Sequence, residues 1–397
     1  VYVAATYVPK GAELVFPQIY EDRDDVGSRI LRLNDKLTLN LKRSSVVHED
    51  FYLRTYREGV PQHTYFDVYA LEDELYHDEK HFASVFVSED GRSVKVEGVV
   101  GPNLKIRPLE HMERTDEGHV PHALELISND DPNYKTVYGV PITERNGTVV
   151  EERLTQAERY QAVKVHCEVR IVVDTKFREG FTKIKDLIRY ILIEFNVVKL
   201  RYLTATRPEI HLKLRAIEVS TRDQEREYMK WIHRYVSINA LDTLYALVKY
   251  VEKRNNSYGR YDLVYFTTGT DMVAVEGSRH ESALQGFAFV GSVCTRNRVG
   301  LGEDKPMTYI GIRIMAHEMG HTLGCSHDGS GIDGTIKGYK ADSYRCPWEQ
   351  GFLMSYIEED HRSMKFSSCC DYSMSLVAWS TQINCLYYLT TGNRLKK

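Results

Sequence analysis

The sequence predicts an α/β (α+β) protein: a second half with a mostly parallel twisted sheet, preceded by a β-rich half. Three observations carry this prediction. After about residue 160, short apolar strands alternate with amphipathic helices, the order of a sheet joined by helical crossovers. Before it, apolar residues alternate with period two between turn signals. Cysteine and charge divide at the same place. All seven cysteines lie at or after Cys167, and residues 1–160 carry 19 basic against 29 acidic side chains, leaving the remainder net +6. At ~100–200 residues per domain the chain accommodates two domains, here placed at 1–160 and 161–397.

In the first half, Leu37, Leu39 and Leu41 alternate with polar residues and predict a strand. Ser84 to Val87 and Val94 to Val96 flank Asp90-Gly91, a hairpin signal. Pro121, the run Asn129 to Pro132, Gly139 and Pro141 mark a loop-rich stretch, and residues 144–160 are charged and poor in aromatics, as a linker is. In the second half, Val169 to Val173 is an apolar strand. Phe181, Ile184, Leu187, Ile188, Ile191, Leu192, Phe195 and Val198 recur at three and four and predict a long helix. His211 to Val219 alternates as a strand, and Ile238, Leu241, Tyr245, Val248 and Val251 form a second helical stripe. Leu263 to Phe266 and Gly286 to Val290 close the strand list.

Composition excludes several classes. No apolar run approaches the ~18 residues of a membrane span, and no Lys/Arg run interleaved with aromatics suggests nucleic acid. Val1 opens the chain without a charged and then apolar leader, as expected once a secretory signal has been removed. Three cysteine pairs plus one spare fit an oxidising compartment. The acceptor sequences at Asn146 and Asn255 agree with secretion and glycosylation. The opposite charges of the halves suggest mutual attraction.

Residues 317–328 read His-Glu-Met-Gly-His-Thr-Leu-Gly-Cys-Ser-His-Asp. On a helix, His317 and His321 sit one turn apart on one face and can chelate one zinc. Gly324 lets the chain leave the helix through a conformation costly for larger residues, bringing His327 round as third ligand. Three protein ligands leave a position for water, the mark of a catalytic zinc. Zinc lowers the pKa of such a water to about 7. Glu318, between the ligands, is the candidate general base.

His317 to Asp328 resembles the long zinc signature of the metzincin metallopeptidases, and Met354 in Phe352-Leu-Met-Ser-Tyr356 resembles their Met-turn. Asp328 after the third histidine is similar to the adamalysin/reprolysin branch. The run Gly286, Phe287, Ala288, Phe289, Val290 up to Cys294 resembles the reprolysin edge strand and its following cysteine. Leu75 to Asp78, Val96 to Val100 and Leu104 to Pro108 resemble reprolysin propeptides, most closely those of tick salivary and other arthropod venom-type enzymes. The resemblance implies a metzincin catalytic domain with an active-site helix, behind a prodomain. It also implies disulfides Cys294–Cys385, Cys346 with Cys369 or Cys370, and Cys325 with the other, leaving Cys167 unpaired. Glu168 and Asp262 align with the acidic ligands of the family's calcium, while Tyr388 stands where an Asn ligand is expected.

Three departures from the family pattern bear on function. No cysteine precedes Cys167, so latency cannot use a propeptide thiolate, and first-half histidines such as His77, His81, His119 and His122 are the alternative zinc caps. No dibasic activation site is visible in 144–166. Tyr356, two after Met354, is either an oxyanion helper or a packing tyrosine. The resulting expectation is a secreted zinc endopeptidase in zymogen form, inhibited by its own propeptide and acting on extracellular proteins such as fibrinogen or matrix components. The alternative is a binding protein or toxin acting without proteolysis, against which the intact Glu318 argues. Gly286 to Val290 is expected to be an exposed sheet edge lining the cleft, where an extended substrate adds as a strand.

Overall fold

The structure, a computed structural model, describes residues 8–9, 11–21, 28–91, 93–127, 137–138, 164–232, 236–277, 279–281, 284–336, 338–358, 360–380 and 385–387. The 144–160 linker, Asn146 and Tyr388 therefore lie outside the described residues. Contacts divide the chain into two compact units that interleave in sequence. The first is Val1–Val46, Phe66–Asn129 and Lys183–Leu200; the second is Val47–Tyr65, Asp130–Thr182 and Arg201–Lys397.

The first unit is a nine-stranded antiparallel sheet. Strand Thr38–Arg43 turns Leu39 and Leu41 inward, fully buried, and its polar residues outward. Ala83–Asp90 and Ser93–Gly101 form the expected hairpin, with Asp90 opposite Ser93 and Gly91 at φ +64. The core joins Leu31, Leu39, Leu41, Val85, Val96, Ile106 and Leu124. Leu124 belongs to strand His122–Leu126, which falls in the stretch the turn signals mark as loop. It pairs on both sides, with Glu13–Val15 and Leu104–Pro108, and that pairing outweighs the local signal. The long helix Ile184–Tyr202 contributes its residues up to Leu200 to this unit. Asn196 there is fully buried, and its amide donates to Ser44 Oγ and Ser84 Oγ, both at 2.9 Å.

The second unit carries an eight-stranded mixed sheet. Its spatial order is Val137–Tyr138, Leu284–Ala288, Val299–Glu303, Leu263–Thr268, Lys164–Val173, Glu209–Val219, Val47–Arg57 and Val60–Tyr65. The pairs among its four central strands are parallel, while Leu284–Ala288 runs antiparallel to Val299–Glu303 and the terminal hairpin is antiparallel. Parallel pairing thus runs unbroken from Val299–Glu303 to Val47–Arg57 and recurs where Val137–Tyr138 meets Leu284–Ala288; across the molecule the sheets are mixed and largely antiparallel. Helix Ala240–Lys253 starts at Asn239, whose side chain accepts from Asp242 N at 3.2 Å. Its apolar stripe packs Leu244, Leu247, Val248 and Val251 against Phe266, Phe287 and Leu301.

Helix Gly311–Thr322 lies against strand Val299–Glu303. Gly302 allows this approach, since a Cβ there would meet Ile314 Cγ2 at 2.7 Å and the Tyr265 hydroxyl oxygen at 2.0 Å. The helix opens where Gly311 N donates to Asp304 Oδ1 at 2.9 Å. It ends at Thr322, and the chain turns away through Gly324, whose φ is +124 and where a Cβ would meet Val377 Cγ2 at 2.6 Å.

Candidate active site

His317 and His321 lie one turn apart on the helix, and the turn at Gly324 returns His327 to them. His317 Nδ1 donates to Leu353 O at 2.9 Å and His321 Nδ1 to Cys325 O at 2.7 Å. A carbonyl only accepts, so Nδ1 holds the proton in both rings and Nε2 presents its lone pair. His327 Nε2 lies 3.1 Å from His317 Nε2 and 3.2 Å from His321 Nε2. All three rings are buried, and burial is the largest cause holding them in the neutral form; His321 is lowered to about 4. With Nδ1 protonated in His317 and His321, both of their Nε2 lone pairs point at His327 Nε2. Ligands ~2.0–2.1 Å from a tetrahedral zinc lie about 3.3–3.4 Å apart, so the donor set fits that ion.

Glu318 is fully buried, and among the described residues neither carboxylate oxygen has a hydrogen-bond partner. Burial raises its pKa well above the ordinary range. Such an arrangement costs stability, as expected of a group kept for proton transfer.

Met354 is fully buried beneath the helix, and a Cβ on Gly320 would lie 3.0 Å from its Sδ. Leu353 O accepts from His317, and Met354 O accepts from Asp328 N at 3.1 Å. One turn thus positions the first histidine and the residue after the third. Asp328 Oδ1 accepts from Ser367 Oγ at 2.6 Å, and burial pushes its carboxyl up to about 6. Tyr356 follows the turn, with its ring centroid 5.4 Å from His327, 6.4 Å from His317 and 4.4 Å from Trp348. Arg313 also braces the turn, donating to Ser363 O at 2.9 Å and Ser355 O at 2.8 Å, with Glu358 at 2.8 Å. Neither Arg313 nor Trp348 was singled out from sequence. An arginine one turn before His317 on the same helix face is the signal that could have found the first; Trp348 had none.

Disulfides Cys325–Cys370, Cys346–Cys369 and Cys294–Cys385 settle the alternative that the family resemblance left open. The first two fasten the chain around the third histidine to helix Ser368–Trp379. Cys167 is free and buried in strand Lys164–Val173, where burial pushes its thiol up, so it is a packing residue. Asn255 is exposed at the start of the short helix Asn255–Tyr258.

Two expectations need correction. Strand Leu284–Ala288 is buried, not an open edge, because Val137–Tyr138 pairs parallel along its outer side, with Tyr138 opposite Gly286. Phe289 and Val290 lie beyond the strand and are fully buried. Glu168 and Asp262 do meet, since Asp262 Oδ2 accepts from Glu168 N at 2.8 Å. However, Arg215 Nη1 donates to Glu168 Oε2 at 2.9 Å, with His48 Nε2 3.3 Å from Oε1, and burial pushes the Asp262 carboxyl well up toward its neutral form. A guanidinium already supplies the positive charge, so this donor set does not fit calcium. The first-half histidines have local partners: His77 with Ser44, His81 with Asp78, His119 with Glu117, and His122 with Val96 N and Val120 O.

A helix-borne pair of histidines, a third past a glycine turn, a buried glutamate between them and a methionine turn below define a metalloendopeptidase site. The model of Metallo-peptidase family M12 matches residues 163–367, and the chain belongs to that family. It is an adamalysin/reprolysin-type metalloprotease, similar to arthropod venom enzymes. The venom metalloproteinase antarease TserMP_A of Tityus serrulatus is 23% identical over 97% of this chain and 95% of its own length. BumaMPs1 of Olivierus martensii is 23% identical over 99% and 97%. A disintegrin and metalloproteinase with thrombospondin motifs like protein of Bombyx mori is 25% identical over 94% of this chain and 53% of its own length.

Proposed function

We propose that the protein is the zymogen of a secreted zinc endopeptidase that hydrolyses extracellular proteins, fibrinogen or matrix components among them, with residues 1–160 as its inhibitory propeptide. The buried, unpartnered carboxylate of Glu318 beside three converging imidazoles carries the reading. His317, His321 and His327 would hold zinc, which when bound supplies Lewis-acid polarisation and an activated water. Glu318 accepts a proton from the attacking water and delivers it to the leaving amine. The Nδ1 bonds to Leu353 O and Cys325 O keep two of the imidazoles oriented, as outer partners do for metal-ligating histidines. Tyr356, packed against His327, is proposed to stabilise the developing oxyanion through its hydroxyl.

Latency without a thiolate has a physical basis in strand Val137–Tyr138. It occupies the hydrogen-bonding edge of Leu284–Ala288 that an added substrate strand would use. Secretion is supported by the three disulfides; among the described residues no helix is long and apolar enough to cross a membrane. Glu168 and Asp262 are not proposed to hold calcium, because Arg215 fills that role. The test is hydrolysis of a mixed peptide library by the intact and the linker-cleaved chain, with and without a zinc chelator. Chelator-sensitive cleavage that rises on linker cleavage is expected. No cleavage in any arm would leave target binding as the function.

A further inference from the structure

Residues Val47–Tyr65 precede the linker by some eighty residues, yet they group with the second unit. Strand Val47–Arg57 extends its sheet by pairing parallel with Glu209–Val219, setting Tyr52 opposite Ala216, Leu53 opposite Ile217 and Arg54 opposite Glu218. Val60–Tyr65 then covers the outer side with residues that are all exposed. At about 4.8 Å per strand, strand Val47–Arg57 lies about 24 Å across the sheet from strand Leu284–Ala288.

The hairpin is bonded in as a core element. Phe51 is fully buried and Leu53 nearly so. The hydroxyls of Tyr52 and Tyr261 are 2.6 Å apart, and Tyr56 donates to Glu218. Glu218 is buried against Arg170 and also accepts from Tyr258 at 2.8 Å. Two further contacts reach across: His48 to Glu168 at 3.3 Å and Asp50 to Arg215 at 3.3 Å. Removing the hairpin would strip a ladder of main-chain bonds from strand Glu209–Val219 and leave buried Glu218 short of a partner, a costly state.

We propose that Val47–Tyr65 is a retention clasp: once the linker is cut, the first part of the chain stays bound through this hairpin, and full activity requires the hairpin to leave. The proposal rests on the reading of residues 1–160 as inhibitory propeptide. Its surface is the edge of strand Glu209–Val219, and its occupant is this segment of the same chain.

The experiment uses the full chain with a site-specific protease sequence placed within residues 144–160. After cutting, gel filtration reads whether the two pieces co-elute, and peptide hydrolysis is followed in parallel. Co-elution is expected for the unsubstituted protein, and Phe51→Asp is expected to separate the pieces. Tyr56→Phe removes one hydroxyl and leaves packing intact, which guards against misfolding. Its pieces should separate about tenfold faster, the worth of a hydrogen bond to a charged group. Val60→Lys, on the exposed outer strand, should change nothing. Immediate separation of the unsubstituted pieces, or equal separation rates for Tyr56→Phe and the unsubstituted protein, would overturn the clasp. Equal hydrolysis by uncut and fully separated protein would instead overturn the inhibitory reading, and co-elution would still decide the clasp.

Discussion

The carboxylate of Glu318 occupies the space that a side chain on Gly286 would need: a Cβ built on Gly286 would lie 2.4 Å from Glu318 Oε1 and 2.6 Å from its Cγ. Gly286 is also the residue of strand Leu284–Ala288 opposite Tyr138. One glycine therefore sets both the clearance for the proposed general base and a register point of the cleft edge.

Gly286→Ala is expected to retain zinc and lose turnover. The methyl group must displace the carboxylate, and a misplaced general base forfeits part of the ~10²–10⁴ such a group contributes. Metal analysis alongside kcat checks this; full zinc with unchanged kcat would refute it.

Glu318→Ala should likewise keep zinc, lose about 10²–10⁴ in rate, and gain thermal stability, because it removes a buried carboxylate with no hydrogen-bond partner among the described residues. His321→Ala should instead lose the metal. Calorimetry, metal content and peptide hydrolysis together separate the two outcomes.

Arg215 predicts how the protein responds to calcium. Zinc-loaded protein freed of calcium should show the same melting temperature when calcium is restored, because a guanidinium already neutralises Glu168. Arg215→Met should destabilise by ~3–5 kcal/mol, the typical result of breaking a buried ion pair. A rise of several degrees on adding calcium would contradict this.

His122 makes the first unit sensitive to acid. Its ring is buried and neutral, accepting from Val96 N at 2.9 Å and donating to Val120 O at 2.8 Å; burial lowers its pKa from 6.5 to about 4. A depressed folded pKa gives stability that is full above the unfolded value and lost as pH falls toward the folded one. Up to roughly 3 kcal/mol should disappear between pH 6.5 and 4. His122→Gln should flatten that window in denaturant titrations of the full chain; an unchanged pH slope would count against it.

Local chemistry was legible along the chain. The four-residue spacing of His317 and His321, the glutamate between them and Gly324 after them are read from helix geometry alone, because ligands one turn apart need no distant contact to converge. The apolar periods that marked Ile184–Tyr202, Ala240–Lys253 and the strands from Lys164 onward are equally local. The order of burial along one element is set by its own backbone repeat, so it survives without tertiary information.

What only the tertiary structure decided was partnership. Nothing along Val47–Arg57 itself says that it joins Glu209–Val219, more than 150 residues away, or that Val137–Tyr138 closes the edge at Gly286. Cys346 could have met Cys369 or Cys370, adjacent in sequence, until packing presented one of them. Glu168 read as a metal ligand until Arg215, on the neighbouring strand, reached it first. Periodicity fixes which face of an element is apolar; the choice among many chemically acceptable partners rests on the summed packing of the whole chain, which no local stretch contains.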